Sequence, residues 1–119
     1  VYKRQLLDWL FDAMTTDPDH IDEHARRVYA RAYDEPEAIR AGNDWYRAFA
    51  QDIADLAMYA PVTAPLLALG GERSNYERLV RAVPALGTDT RVIRVDGAGH
   101  YLPEERPEAV VEELTRFLA

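Results

Sequence analysis

The sequence predicts an α/β chain in two parts, an all-helical stretch to about residue 60 and a βαβα stretch over 61–119. Three observations carry this. Apolar residues recur at helical spacing through the first part, and between Pro61 and Pro65 that periodicity gives way to short apolar runs bounded by glycine. From Leu66 onward the order is strand, helix, strand, helix, the pattern of a parallel sheet with crossover helices. The composition, 48% hydrophobic and 29% charged over 119 residues, is that of a globular chain with room for one core of modest size.

Val1-Tyr2-Lys3-Arg4-Gln5 fits the pattern that follows poorly, and residues 1–5 are set apart as a non-native scar resembling a translated adapter. Leu6, Leu7, Leu10, Phe11 and Met14, with Trp9 beside them, mark a first helix. Thr15, Thr16, Asp17, Pro18 and Asp19 end it and offer caps to the next. A second helix is expected over 21–32, with Ile21, Ala25, Val28, Tyr29 and Ala32 on one face and His20 and His24 near its start. Those histidines have the spacing of helical metal ligands, but no third ligand is comparably placed, and no metal site is assigned. Asp34-Glu35-Pro36-Glu37 reads as a cap and first turn leading into a long helix to about Ala57. Gly42, inside it, costs about 1 kcal/mol relative to alanine and is expected to weaken or bend the helix, or to admit another backbone or a ligand.

After Pro65, the all-apolar run Leu66-Leu67-Ala68-Leu69 before Gly70-Gly71 is expected to be a strand covered on both faces of a parallel sheet. A helix over 74–83 follows, capped by Ser74, with Tyr76, Leu79, Val80 and Val83 inward. Residues 90–95, Thr-Arg-Val-Ile-Arg-Val, have the β-branched content of a second strand, broken by Gly97 and Gly99. The last helix starts at Pro107 and has Val110, Val111, Leu114, Phe117 and Leu118 on one face.

A formal charge of −7, with basic residues scattered, argues against nucleic acid or an anionic membrane as partner. With no cysteine there is no disulfide, thiol nucleophile or thiolate metal site. No apolar run reaches the roughly 20 residues of a membrane span, and a cytoplasmic location is the default expectation.

The chemistry converges on His100. It ends the loop Asp96-Gly97-Ala98-Gly99 between a strand and a packed helix, where rigid elements hold the backbone while the ring reaches a cleft, as a general base requires. A local cap is the plainer reading of a bare G-x-G-H. The wider segment, strand, then D-G-A-G-H-Y-L-P-E-E-R-P, then an amphipathic helix, resembles the catalytic-histidine segment that closes α/β-hydrolase-fold enzymes, most of all the epoxide hydrolase and haloalkane dehalogenase branch.

That resemblance implies that residues 6–60 belong to a helical cap and that residues 61–119 are the last two strands of the core with their helices, an incomplete domain. It implies a small-molecule epoxide as substrate and no metal or organic cofactor. His100 would activate the water that hydrolyses an ester on an aspartate nucleophile. Asn43-Asp44-Trp45-Tyr46-Arg47-Ala48-Phe49 is similar to the cap helix of epoxide hydrolases, in which a tyrosine donates to the epoxide oxygen, and this gives Tyr46 that role. His100 would then lie on the floor and Tyr46 in the roof of one cleft.

The departures from the pattern are equally clear. Ser74 stands where an acid that orients the histidine is common, while Glu72 is acidic, close, and a candidate for that role. In one subgroup the acid instead follows the preceding strand. No second cap donor is assignable. No nucleophile elbow occurs in the chain, and neither does the oxyanion-hole loop, so the chain alone is expected to be inactive. Two alternatives stay open: a dehalogenase, for which Trp45 could bind halide, and a non-catalytic α/β interaction module in which the G-A-G-H turn is only a tight connection.

Overall fold

A computed structural model describes residues 2–119, with side chains from residue 4 onward. Its elements are α1 (Tyr2–Met14), a 3₁₀ turn (Pro18–His20), α2 (Glu23–Ala32), α3 (Pro36–Leu56), β1 (Leu66–Gly71), α4 (Tyr76–Ala82), a second 3₁₀ turn (Val83–Ala85), β2 (Thr90–Val95), α5 (Leu102–Glu105) and α6 (Pro107–Leu118). They form two compact units, one of the chain up to Trp9 with Asp22–Ala60, the other of Leu10–Ile21 with Pro61–Ala119.

The first unit is helical throughout. Its first helix starts four residues before Leu6, so residues 2–5, set apart as a scar, continue α1; Val1 lies outside the described residues. Arg4 is built into this unit: its Nε lies 2.8 Å from both Asp8 oxygens and its Nη2 donates to Glu23 at 2.6 Å. Arg26 Nη1 reaches Asp8 at 3.2 Å. Burial pushes the Asp8 carboxyl up, but the two guanidinium groups outweigh it and hold the group below its ordinary value.

The helix expected from Ile21 begins instead at Glu23. Asp17 caps the 3₁₀ turn by accepting from the Asp19 N–H, and Asp22 caps α2 by accepting from the Ala25 N–H at 2.8 Å. Two aspartate caps this close break one apolar run into two elements. Ile21 therefore precedes α2 and is buried in the second unit, His20 and His24 lie on separate elements rather than one helix face, and Val28 is exposed. Helix α3 starts at Pro36 as expected, although Glu35 makes no side-chain cap, and continues through Gly42 without interruption. A Cβ at Gly42 would meet nothing within 4 Å, so no neighbouring backbone uses the space.

The second unit holds the two predicted strands, paired in parallel with Leu66 opposite Thr90 and Gly71 opposite Val95. A bridge between Val62 and Gly87 precedes the ladder. Strand β1 runs to Gly71 instead of stopping at Leu69, because there the two glycines serve a close backbone approach rather than a turn. Leu66 to Leu69 are half-buried in this two-stranded sheet rather than covered on both faces. Ser74 is part of the turn after β1, its N–H donating to Gly71 O at 3.0 Å, so α4 starts after Asn75 and not at Ser74.

Phe11, Ile21, Val83, Val95 and Ala98 form the buried core, while Val80, expected inward, is exposed. Helix α6 starts at Pro107 as predicted, but Val111, Leu114 and Leu118 of its apolar face are exposed. The short α5, with Pro103 in its first turn, occupies what the sequence suggests is loop. Among the described residues no helix is long and apolar enough to cross a membrane.

Candidate active site

The loop that carries His100 starts where β2 ends, and the ladder runs on beyond the strands: Glu72 N–H donates to Val95 O and Arg73 N–H to Ala98 O, both at 3.1 Å. A Cβ on Gly71 would lie 1.9 Å from Gly99 O and 2.7 Å from Ala98 O. Only glycine lets the end of β1 pass this close beneath the loop. Gly97 takes a φ of +65°, the left-handed turn that glycine adopts without strain, and its N–H donates to Glu72 Oε2 at 2.9 Å. Ala98 is fully buried, and Gly99 passes so close to Met14 O that a Cβ there would lie 2.4 Å from it.

Three consecutive N–H groups then find acceptors. Gly99 N donates to Glu105 Oε2 at 2.8 Å, His100 N to Met14 O at 2.9 Å, and Tyr101 N to Glu105 Oε1 at 3.0 Å. The same Oε2 takes the Thr16 N–H and lies 2.8 Å from Thr16 Oγ1. Thr16 Oγ1 is also 3.0 Å from Gly97 O, but its single proton goes to the nearer, charged acceptor. Glu105 is 2% exposed. Burial alone would raise its carboxyl, but the donors from Thr16, Gly99 and Tyr101 outweigh burial and hold it below the ordinary glutamate value. An ionised, acceptor-only carboxylate is the group that matches four converging donors.

His100 itself is exposed and borders an open cleft of about 310 Å³, with Met14, Thr15, Thr16, Arg73 and Ser74 among the other walls. Its ring stands edge-on to Tyr101, centroids 5.2 Å apart, and Tyr101 stacks edge-on against buried Phe11 at 5.3 Å. Ser74 Oγ is 3.5 Å from His100 Nδ1. Glu72, the acid considered from the sequence, is engaged by the Gly97 N–H instead. The arrangement leaves an imidazole on a fixed backbone facing a polar cleft, which is what proton transfer to or from a small molecule or water needs.

Tyr46 lies on α3 in the first unit and is 70% exposed, its ring 5.2 Å from that of Phe49 and 6.4 Å from that of Trp45, also exposed. His20 is not presented as a ligand. Arg106 Nη1 donates to its Nε2 at 3.1 Å and to Glu105 O at 2.7 Å, which places the imidazole proton on Nδ1. Among the described residues no cluster of three potential metal ligands is assembled.

Sequence reasoning missed Glu105, Thr16 and the Met14 carbonyl. Glu105 sits beside Glu104 and near Glu108, and nothing local tells the buried carboxylate from solvated ones. Its one trace is the spacing in G-H-Y-L-P-E-E, where a proline-started turn returns the chain toward the loop. Thr16 comes from 89 residues away, a pairing that no periodicity encodes.

No family model matches the chain. In sequence it is 30% identical over 105 residues to the soluble epoxide hydrolase of Corynebacterium sp. (strain C12), covering 86% of this chain and 36% of that protein. It is 35% identical over 83 residues to epoxide hydrolase A of Mycobacterium tuberculosis (strain ATCC 25618 / H37Rv), covering 65% of this chain and 26% of that protein. It thus spans 36% or less of the length of these curated relatives. In structure it superposes on Cfl2 from Burkholderia cenocepacia with a TM-score of 0.87 at 24% identity, over 99% of this chain and 41% of that one, a likeness of fold alone. It superposes on the epoxide hydrolase CorEH with a TM-score of 0.83 at 27% identity, over 98% of this chain and 41% of that one.

Proposed function

The chain is the C-terminal part of an α/β-hydrolase fold, incomplete as a domain, and is related to epoxide hydrolases; from that premise we propose that it supplies the water-activating base and a cap donor to an epoxide hydrolase. The observation that carries the reading is His100, displayed at an open polar cleft on a loop whose neighbouring N–H groups are all engaged.

In the reaction proposed, an aspartate carboxylate contributed by the rest of the intact protein attacks an epoxide carbon. The C–O bond of the ring breaks as the C–O bond of the ester forms, and the released oxygen takes the phenolic proton of Tyr46. His100 Nε2 then takes a proton from water, the hydroxide adds to the ester carbonyl, and collapse of the tetrahedral adduct expels the diol and restores the carboxylate. The imidazolium returns its proton, through solvent, to the tyrosinate, which closes the cycle. No cofactor enters any step. Water activation asks that the imidazole be held without being capped by a strong acceptor on the cleft side, and the geometry around His100 is consistent with this.

The test is intact-protein mass spectrometry of the intact enzyme after mixing with an epoxide. His100→Ala is expected to accumulate a covalent adduct of the mass of enzyme plus epoxide, while wild type turns over without it. A His100→Ala protein that shows no adduct and hydrolyses at the wild-type rate would remove the base assignment.

A further inference from the structure

We propose that Glu105 is the positioning residue for His100, a buried carboxylate whose work is to fix the two peptide N–H groups on either side of the base. The inference rests on the reading of His100 as the base and adds a residue to it.

His100 is held in place through its backbone and not through its ring. Among the described residues its ring has one polar neighbour, the Ser74 hydroxyl at 3.5 Å, which is at the limit of a hydrogen bond and too weak to aim an imidazole. Its direction is therefore inherited from the backbone. That backbone is a small-residue loop in which Gly97 has a positive φ and Gly99 has no side chain, so it has little stiffness of its own. Glu105 supplies the stiffness. One oxygen holds Gly99 N and the other Tyr101 N, so the two hydrogen bonds straddle residue 100 and resist both translation and rotation of its Cα–Cβ bond. The Met14 carbonyl takes the intervening His100 N–H at 2.9 Å. Thr16 donates from N and Oγ1 to the same Oε2, so the carboxylate is itself anchored to the segment that supplies Met14 O.

The placement is specific in a way that a general core ion pair would not be. Among the described residues no arginine reaches the Glu105 oxygens, and the hydrogen bonds they accept come from Gly99, Tyr101 and Thr16. Four donors converge on one acceptor-only group, which glutamine cannot reproduce, because one of its two terminal atoms would present N–H to N–H. The backbone shift that relieves this clash moves His100. Displacement of a catalytic group by about 1 Å costs on the order of 10²-fold in rate.

The experiment follows the two chemical steps separately by rapid quench in the intact protein carrying Glu105→Gln, with His100→Ala and Thr16→Val alongside, and reads hydrogen exchange of the 97–101 segment on the same samples. Glu105→Gln is expected to form the ester within about twofold of the wild-type rate and to hydrolyse it on the order of 10²-fold more slowly, so that adduct accumulates, with exchange faster at 97–101 and unchanged in β1 and β2. Thr16→Val, which keeps the volume and loses one donor, is expected to slow hydrolysis severalfold in the same direction and serves if Glu105→Gln does not fold. Parallel loss of both steps in proportion to the folded fraction, or wild-type hydrolysis per folded molecule, overturns the positioning role. If His100→Ala leaves hydrolysis intact, it is the base assignment that fails. The clamp is then judged by exchange alone: faster exchange at 97–101 in Glu105→Gln upholds it as a loop clamp, and unchanged exchange overturns it.

Discussion

Ser74 Oγ stands 3.5 Å from Nδ1 of His100, so the loop after β1 offers the imidazole a hydroxyl on the side where a carboxylate would orient it. A neutral hydrogen bond contributes about 1 kcal/mol, and at this distance less. Ser74→Ala is therefore expected to change ester hydrolysis by no more than about fivefold. Ser74→Asp is the informative substitution. A carboxylate beside the ring favours the imidazolium, which cannot act as base, so the acid limb of the hydrolysis rate should move to higher pH. A rate profile that does not move would mean that Asp at 74 does not reach Nδ1.

The Glu105 clamp has its own pH signature. Its carboxyl is held below the ordinary value in the folded protein, so its contribution to stability is fully present above the unfolded value of roughly 4.3. That contribution is lost as pH falls through the depressed folded value, because the unfolded chain binds the proton first. The expected outcome is that the Gly99 and Tyr101 amide resonances hold their positions down to about pH 4.3 and move together only below it. In Glu105→Gln that joint transition should be absent; its persistence would assign it to another carboxyl.

Two glycines give opposite expectations for the same substitution. Gly71→Ala would push a Cβ to 1.9 Å from Gly99 O, a backbone atom that cannot swing away, so the end of β1 and the His100 loop must separate. Loss of stability of about 3 kcal/mol or more is expected, with loss of hydrolysis beyond what unfolding explains. Gly42→Ala fills open space in the middle of α3 and should stabilise by about 0.5–1 kcal/mol. Denaturant unfolding of the two variants checks both signs.

How far the sequence speaks depends on the range of the interaction involved. The parallel strands and the terminal helix are legible because β-branched runs, bounding glycines and Pro107 act within a few residues. The start of α2 is not legible, because two local caps, Asp17 and Asp22, override an apolar repeat that reads as continuous. The loop in the sequence singles out His100 as a candidate, whereas what holds that loop leaves no local signal: Glu105, Thr16 and Met14 O come together only through chain folding over more than 80 residues. The exposure of Val111, Leu114 and Leu118 on α6 also escapes pattern reading, since periodicity shows that a face is apolar but not that a partner covers it.

Tyr46 offers the sharpest separation of the two chemical steps. Its side chain is 70% exposed on α3 beside Phe49 and Trp45, so removing the hydroxyl should change stability by less than about 0.5 kcal/mol. Any kinetic effect of Tyr46→Phe therefore reports on chemistry. In the proposed role of donor to the opening ring, the hydroxyl would act while negative charge builds on oxygen, before the ester exists. Tyr46→Phe should slow ester formation roughly tenfold, short of the 10²–10³ that loss of a sole donor costs, if a second donor shares the charge. Hydrolysis of preformed ester should not change, so no adduct should accumulate, the reverse of His100→Ala. Stopped-flow measurement of ester formation at saturating epoxide reads the first step alone. If Tyr46→Phe forms ester at the wild-type rate, and Trp45→Phe instead abolishes halide release from a haloalkane, the leaving group is held by an indole N–H, and the dehalogenase reading takes the place of the epoxide hydrolase one.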